Sequence, residues 1–299
     1  MNRIRTASRG VLLLCPAATL MLFVGCQQNK TPISALASSS NLAAASVSGP
    51  VEGTRITEIY ARLVARDAYF WAWPMVNMYN RRLAFAKAPV PGIMNDLPFA
   101  PLNHLAMLAD YVEPSERWVA CPNQDVVYGA SIFALNQSAV VVQVPDFGKR
   151  FWVYQTVDLR TDSFANIGAM YGTKPGFYLL AGPDWKGNVP NGIAGIFRAT
   201  TNTGMVGPRV FQDGTQKDKQ ALQPIINQIE VYPLSEFDGK MKTTDWKNLK
   251  EYPSTASGAA ETRWVFPNTF FDQLPQVLSD TKPRLFHAYC GSEVQHSGE

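Results

Sequence analysis

Seven short segments between about Arg117 and Leu234 place the strongest constraint on how this chain can fold. Each is rich in β-branched or aromatic residues and is bounded by Gly, Pro, Asn or Asp, which is the pattern of a β-strand. Few helical segments come between them, so the chain is predicted to be mainly β, an Ig-like antiparallel β-sandwich. The predicted strands cover residues 127–135, 139–144, 151–158, 176–181, 193–200, 205–211 and 229–234.

Helical periodicity flanks this region on both sides. An apolar residue recurs every three or four positions after Thr54, which is a candidate N-cap, and Pro74 is expected to end or kink the helix. Shorter helices are predicted over residues 102–111, 217–228 and 269–278. The stripe of the first helix consists of Ile56, Ile59, Tyr60, Leu63, Val64, Ala68 and Trp71.

The N-terminus has the features of a bacterial export signal. Arg3, Arg5 and Arg9 precede an apolar run over residues 11–24, and Gly25 and Cys26 follow. The 14-residue run is short beside the ~20 residues that span a bilayer, so it favours a signal peptide over a transmembrane helix. The alternatives are an uncleaved N-terminal anchor or an ordinary secretory cleavage further along the chain.

The segment ending at Cys26 resembles the lipobox of bacterial lipoproteins. The resemblance implies cleavage after Gly25 and a lipid, with acyl chains such as palmitate, on the sulfur of Cys26. It therefore predicts a lipoprotein with a membrane anchor, located in the cell envelope. Gln27, rather than Asp, follows the cysteine, which favours the periplasmic face of the outer membrane.

Charge and cysteine content narrow the range of partners. The chain has 27 basic and 24 acidic residues, and removal of the three arginines of residues 1–25 leaves 24 of each. A neutral chain without a basic cluster does not favour nucleic acid as a partner. Cys121 and Cys290 lie too far apart in sequence for their pairing to be decided.

No motif in the sequence identifies an enzyme class or a cofactor. A G-x-S-x-G elbow, a P-loop and an H-E-x-x-H motif are all missing. His287, Cys290 and His296 are possible zinc ligands, but they lie in a tail without a periodic pattern, which is a poor place for a pre-organised metal site. We therefore predict neither a metal nor a cofactor.

Several motifs, in order along the chain, resemble one known family. The segment PNQDVVYG at 122–129 is similar to the P-N-x-D-T-L-Y-S motif of the domain-of-unknown-function 1254 family, and GPDWKG at 182–187 is similar to its G-P-x-W-x-G turn. The resemblance covers about residues 54–234 and implies the same β-sandwich. Val126, Val127 and Gly129 depart from the motif, which argues against a hydroxyl-based role there. Further matches are PLNH at 101–104, VPD at 144–146, RFW at 150–152 and TDSFANIG at 161–168.

Relatives in this family usually continue into a second, jelly-roll domain of unknown function 1214. This chain reaches Glu299 near the point where that domain would begin. The resemblance therefore predicts that the second domain has been lost or lies on another chain or reading frame. The expected organisation is a signal peptide (1–25), a Ser/Ala/Asn-rich flexible tether (26–53), a helical segment (54–116), the β-sandwich (117–240) and a C-terminal loop and helix (241–299).

Polar residues of the family motifs are the candidate site. Asx residues at such positions cap turns, which is the structural alternative to a ligand-binding role. In the functional interpretation they line a pocket, hold a hard cation, or supply a pair of carboxylates for acid/base catalysis. Trp185, in a Gly/Pro turn, is expected to be exposed and to contact a ligand. The other candidates are Asn123, Asp125, Tyr128, Asp158 and Asp162.

Two classes of function remain open from the sequence. The favoured one is a lipid-anchored envelope module that binds a small molecule, a glycan or a protein. The alternative is a periplasmic hydrolase that uses Asp125 with Asp158 or Asp162.

Overall fold

The computed structural model describes residues 51–116, 121–253 and 264–281. In this part of the chain, three α-helices accompany twelve strands in three sheets, which confirms the mainly β prediction with an N-terminal and a short C-terminal helix. The predicted export signal, most of the tether, Cys290 and the end of the chain lie outside the described residues.

The larger sheet has five antiparallel strands in the order β3-β4-β10-β6-β7. The central strand, β10, pairs along most of its length with β4 on one side and β6 on the other. The strands are β3 (Ala106–Met107), β4 (Val126–Ala134), β6 (Trp152–Asp158), β7 (Ser163–Gly168) and β10 (Thr203–Phe211).

The second sheet has four strands in the order β11-β5-β8-β9, and a small third sheet has the order β12-β1-β2. The β8–β9 and β1–β12 pairs are parallel, so the prediction of purely antiparallel sheets is wrong at these two places. The loop over residues 182–192 crosses back before β9 begins, and this return makes β9 run in the direction of β8. The strands are β5 (Val140–Val144), β8 (Gly176–Ala181), β9 (Ile193–Arg198), β11 (Glu230–Pro233), β1 (Gly92–Met94), β2 (Leu97–Phe99) and β12 (Lys250–Glu251).

One apolar core joins the two larger sheets face to face. Alternate residues point inward because side chains on a strand alternate between its faces. Phe133 and Tyr154 of the five-stranded sheet belong to the same buried cluster as Val142 and Leu180 of the four-stranded sheet. The predicted sandwich is therefore confirmed, and each of the seven predicted strands lies within two residues of an observed one.

The segment over residues 102–111 is not the predicted helix. Asn103 has a positive φ of 66°, and its side-chain oxygen accepts a hydrogen bond from the Ala134 amide at 2.7 Å. Leu105 donates its amide to the Val231 carbonyl at 3.1 Å, and β3 then pairs with β4. Because both sheets bond to it, this segment forms a turn followed by the short strand β3 instead of a helix, and it bridges the two sheets at their edge.

Helix α1 (Glu58–Phe85) differs from its prediction at both ends. Its N-cap is Thr57, whose hydroxyl accepts from the Tyr60 amide, and the helix continues through Pro74 to Phe85. Proline removes one backbone hydrogen bond, but the turns around it bury Ala72, Met75 and Val76, and this packing holds the helix together. The region predicted as helical over 54–116 is helical only to Phe85 and then forms β1 to β3.

The apolar stripe predicted for the start of α1 does not enter the core. Ile56, Ile59, Tyr60, Leu63 and Val64 are between 49% and 74% exposed, whereas the second half of the helix packs on α3 (Phe270–Asp280) and the five-stranded sheet. Helix α2 (Gln216–Ile226) covers one end of the sandwich. No helix in the described ranges has both the length and the apolar character needed to cross a membrane.

Candidate functional site

The motif at the start of β4 brings Asn123 and Tyr128 together. The Asn123 amide donates to Tyr128 Oη at 2.8 Å, and the Arg209 guanidinium lies 5.3 Å from the centre of the Tyr128 ring. The carboxylate of Asp125 is exposed, while its backbone carbonyl accepts from the Gln212 amide. These residues form a solvent-facing end of the five-stranded sheet.

Asp158 serves a different purpose at the end of β6. Its side chain is fully buried, and Oδ1 accepts from the amides of Arg160 at 2.9 Å and Asp162 at 3.0 Å. Oδ2 accepts from the Thr200 hydroxyl. These contacts close the turn between β6 and β7, which is the turn-capping role that Asx residues perform well.

The strand register separates Asp125 from Asp158 and Asp162. Asp158 pairs with Gly204 at the start of β10, whereas Val126, next to Asp125, pairs with Phe211 at its end. The two positions are therefore seven residues apart on one strand, or about 24 Å at ~3.4 Å per residue. Carboxylates that act on one glycosidic bond lie roughly 5–9.5 Å apart. Asp125 therefore forms no catalytic pair with Asp158 or Asp162.

Trp185 is half-buried rather than exposed. Its ring packs against the buried cluster on the outer face of the four-stranded sheet, and its carbonyl accepts from Arg198 Nη1 at 2.9 Å. A Cβ atom at Gly187 would lie 2.6 Å from Cζ2 of the Trp185 ring, so the glycine is needed for this close approach. The G-P-x-W-x-G turn is thus explained by packing.

A cavity of about 540 Å³ lies on the outer side of β11, the edge strand of the four-stranded sheet. The loop after β11 turns back over the strand and forms the opposite wall. The bridging segment before β3 closes one end. Its lining residues are Pro91, His104, Leu105, Glu230, Val231, Tyr232, Glu236, Met241, Lys242, Thr243, Thr244 and Trp246.

Glu236 links the two basic groups of this cavity. His104 Nε2 lies 3.0 Å from Glu236 Oε1, and Lys242 Nζ lies 3.5 Å from Glu236 Oε2. The other imidazole nitrogen, Nδ1, lies 3.1 Å from the Leu102 carbonyl, so both ring nitrogens face oxygen atoms. Lys242 also lies over the Tyr232 ring, 4.2 Å from its centre.

Glu230 is the buried carboxyl group of the cavity. Its residue is 7% exposed, and burial raises its pKa to about 7. The hydrogen bond from the Thr244 hydroxyl, at 2.5 Å, and the charge of Lys242 act in the opposite direction, while Glu236 adds a further increase. A carboxyl with this pKa exchanges its proton near neutral pH.

Two buried polar atoms of the cavity walls have no protein partner within the described residues. They are the Tyr232 hydroxyl and the Trp246 indole nitrogen, both on side chains that are 2% exposed. Burial also raises the pKa of Tyr232, which therefore keeps its proton and remains a donor. A buried donor without an acceptor costs about 1–3 kcal/mol. Neither atom has accessible surface, so both lie behind the lining of the cavity and do not face its interior.

A second cavity, of about 430 Å³, lies between α1, α3 and the turn before β10. Its charged groups are used by the fold: Asp280 accepts from the amides of Asn202 and Thr203, and Arg82 donates to the Thr203 hydroxyl and to Asn136. No group of three or more metal-ligating side chains occurs within the described ranges. His104, Glu230 and their neighbours are thus the best candidate site.

The acid, tyrosine and tryptophan of this cavity were not among the site residues predicted from the sequence. One signal was available in the apolar strand around Glu230. Ile229 and Val231 occupy one face of this strand, and the carboxyl of Glu230 lies on the other face with Tyr232. A carboxyl on a strand of this kind is unusual because burial of a charge is costly. The contribution of Lys242 and Trp246 depends on the path of a loop, which no local pattern specifies.

Comparison with known proteins finds one family model that matches part of the chain. Residues 102–233 match the family model described as "Protein of unknown function (DUF1254)". Among solved structures, the chain is similar to the VPA0106 protein from Vibrio parahaemolyticus, with 21% sequence identity and a TM-score of 0.44. The similarity covers 74% of this chain and 53% of that protein, so this chain spans about half the length of that relative. No curated protein matches the sequence.

The matched range contains all the motifs from 122–129 to 182–187, together with His104, Glu230 and Tyr232 of the cavity. The resemblance predicted from those motifs is confirmed over residues 102–233, which match the DUF1254 family model.

Proposed function

We propose that this chain is a lipid-anchored envelope protein whose DUF1254 domain binds a small polar molecule in the cavity beside β11. The observation that carries the proposal is the buried carboxyl of Glu230, which lines one cavity together with His104, Glu236 and Lys242. A volume of about 540 Å³ is within the ~300–1,000 Å³ that is typical of small-molecule sites. It suits a metabolite or one sugar residue better than a protein surface.

The hydrogen-bonding capacity of the cavity indicates the chemistry of the ligand. Glu236 already contacts His104 and Lys242, and Glu230 accepts from Thr244. What remains are donors, namely the further N–H groups of Lys242. A ligand that presents acceptors, such as carboxylate, carbonyl or hydroxyl oxygens, matches them.

The lipid anchor is supported by the sequence of residues 1–26. A positive N-terminus, a 14-residue apolar run and a cysteine after glycine form an ordered set that suits export and lipid attachment. The test is metabolic labelling with a fatty acid in a Gram-negative host, with Cys26→Ser as the variant. Labelling that persists in the variant would reject Cys26 as the attachment site.

The binding proposal is tested by calorimetry and thermal shift on residues 27–299, with panels of carboxylic acids, amino acids and simple sugars. Lys242→Met should weaken binding of a ligand found in the panels about three- to tenfold, which corresponds to one lost hydrogen bond. Lys240→Met is the matched control because Lys240 is exposed and lies outside the cavity. Binding that depends on Lys240 but not on Lys242 would show that the ligand binds outside this cavity.

Catalysis at the same cavity is the second candidate, because a carboxyl with a pKa of about 7 suits general acid/base chemistry near neutral pH. In this version of the enzyme hypothesis, Glu230 replaces Asp125 and Asp158 as the reacting group. Each ligand that binds is therefore incubated with the wild type and with Glu230→Gln, and products are followed by mass spectrometry. Turnover that is lost in the variant identifies an enzyme, whereas binding without turnover identifies a binding module.

A further inference from the structure

The loop between β8 and β9 contains Asn191 followed by Gly192, which is the only Asn–Gly step in the sequence. Both residues are exposed, and Gly192 has a positive φ of 95°. The Ile193 amide donates to the Pro190 carbonyl at 3.4 Å, so Asn191 and Gly192 are the two central residues of a tight turn. This bond is longer than the roughly 2.7–3.2 Å of most N–H···O bonds, and the turn is therefore held weakly.

Asparagine is one of the thermolabile residues of proteins because its side chain can react with the main chain. The amide nitrogen of Gly192 attacks Cγ of Asn191, so the N–Cγ bond forms and the bond from Cγ to Nδ2 breaks. Nδ2 leaves as ammonia and takes the amide proton with it. Water then opens the cyclic imide at one of its two carbonyls, which gives aspartate or isoaspartate. Glycine favours the attack because it has no Cβ to crowd the ring.

The fold leaves both reacting groups of this step free. Within the described residues, neither the Asn191 side chain nor the Gly192 amide forms a hydrogen bond. A Cβ atom placed on Gly192 would have one atom within 4 Å, Cζ of Phe237 at 3.5 Å, so there is space around the turn. No hydrogen bond of either group has to break before the attack.

The two Asp–Gly steps of the chain could form the same imide with loss of water, but their side chains are fixed. Asp213 Oδ1 accepts from the Thr215 amide at 2.8 Å, and Asp238 Oδ1 accepts from the Lys240 amide at 3.0 Å. Each bond holds the carboxyl against the amide two positions along the chain, as in an Asx-turn. The carboxyl is thereby kept away from the amide of the glycine that follows it.

Asn188 lies in the same loop as Asn191 and is also exposed, but it is followed by Val189. The branched side chain of valine crowds the approach of its own amide nitrogen to the neighbouring side chain. We propose that Asn191, alone among these four positions, is a site of spontaneous deamidation in the folded protein. This inference depends neither on the lipid anchor nor on the cavity.

The product changes the chain directly before β9. Both forms carry a new negative charge, and isoaspartate also adds one carbon atom to the main chain. Ile193, the first residue of β9, pairs with Phe177 and packs beside Trp185 and Phe237. Because the extra atom alters how the chain enters this contact, isoaspartate should weaken the start of β9.

The test is peptide mapping by mass spectrometry of the purified protein, incubated for several weeks at 37 °C and pH 7.5. Asn188 and Asn191 lie in one tryptic peptide, residues 187–198, and its fragment ions distinguish them. We expect Asn191 to gain about 1 Da and to give two chromatographic peaks, at a rate about tenfold or more above that of Asn188. The peptides with Asp213 and Asp238 should each remain one peak. Asn191→Gln is the control variant, because the longer side chain would have to close a larger ring, and its peptide should not change.

The same incubation in urea gives the rate for the unfolded chain. Loss of one weak turn bond is all that the fold requires, so the rate in the folded protein should lie within about tenfold of that rate. Three results would overturn the proposal. They are a mass gain in urea without one in the folded protein, equal rates at Asn188 and Asn191, and a mass gain in the peptide of Asn191→Gln. Faster hydrogen exchange of β9 in the incubated protein than in fresh protein would support the effect on this strand.

Discussion

Glu230→Gln should make the protein more stable at alkaline pH. The glutamine keeps an oxygen for the Thr244 hydroxyl and resembles the protonated carboxyl, but it cannot ionise. Burial raises the pKa of Glu230 from 4.5 to about 7 in the folded protein. Each unit of pKa difference between the folded and unfolded states is worth about 1.4 kcal/mol of unfolding free energy. The contribution of the protonated carboxyl to the unfolding free energy is fully present below pH 4.5 and is lost as the pH rises through 7.

Urea denaturation at pH 5.0 and pH 8.5 measures this effect. The unfolding free energy of Glu230→Gln minus that of the wild type should rise by about 2–3 kcal/mol between the two pH values. Glu251→Gln, which removes an exposed carboxyl outside the cavity, is the control. Its unfolding free energy should equal that of the wild type at both pH values. A difference for Glu230→Gln that is the same at both pH values, or that falls at pH 8.5, would refute the argument that Glu230 is buried and ionises at a cost.

Three further predictions concern contacts of the five-stranded sheet, away from the cavity. Arg150→Ala removes two hydrogen bonds to Asp218 and should lower the unfolding free energy by about 1–3 kcal/mol in thermal melts. The contact with Arg150 lowers the pKa of Asp218 in the folded protein. The loss of unfolding free energy in the variant should therefore shrink as the pH falls through this lowered pKa. Gly204→Ala should cost at least about 2 kcal/mol, since its Cβ would lie 2.2 Å from the Val157 carbonyl, whereas Gly207→Ala, with contacts of 3.8 Å, should be tolerated. Asp158→Asn should lower the unfolding free energy by about 1–2 kcal/mol and leave ligand affinity unchanged. Loss of binding in a variant that still folds would show that Asp158 belongs to the binding site.

The strands of the sandwich were predictable because their side chains alternate and their ends carry turn residues. The seven predicted segments correspond to β4, β5, β6, β8, β9, β10 and β11. Strand β7, SFANIG, was missed because its polar residues do not mark one solvent face clearly. Strands β1, β2, β3 and β12 contain only two or three residues, and their pairing is decided by distant parts of the chain.

The errors in the helical predictions have one physical origin. Helical periodicity in the sequence shows that one face of a helix is apolar, but it does not show whether that face packs against the rest of the protein. The stripe has a helical period, and its residues from Ile59 to Trp71 do lie in helix α1, yet its large apolar side chains stay exposed. Residues 102–111 contain apolar positions that fit a turn of helix, but Asn103 and Leu105 bond to two different sheets. Tertiary hydrogen bonds outweigh a short local preference there.

The residues of the site could not be grouped from the sequence either, because sequence order does not show which residues lie close together in space. Asp125 and Asp158 share the β-strand region of the motifs, and their order in the sequence cannot show that β10 holds them at opposite ends. The residues of the cavity come from three separate parts of the sequence, around 104, 230 and 242. Only the register of β11 beside β5 and the return of the following loop bring them together.

Gln143 is the residue that fixes this loop to the sheet. It pairs with Glu230 across the β5–β11 register and is fully buried on the outer face of the sheet. Its amide nitrogen donates to the carbonyls of Gln228 and Lys242 at 2.6 and 2.8 Å, and its oxygen accepts from the Lys242 amide at 2.8 Å. A buried amide with all these bonds made stays in one orientation, because any other would leave polar groups unpaired. The wall that carries Lys242, Thr244 and Trp246 is therefore attached to the core through Gln143, and the donors of the cavity are held in place before any ligand arrives.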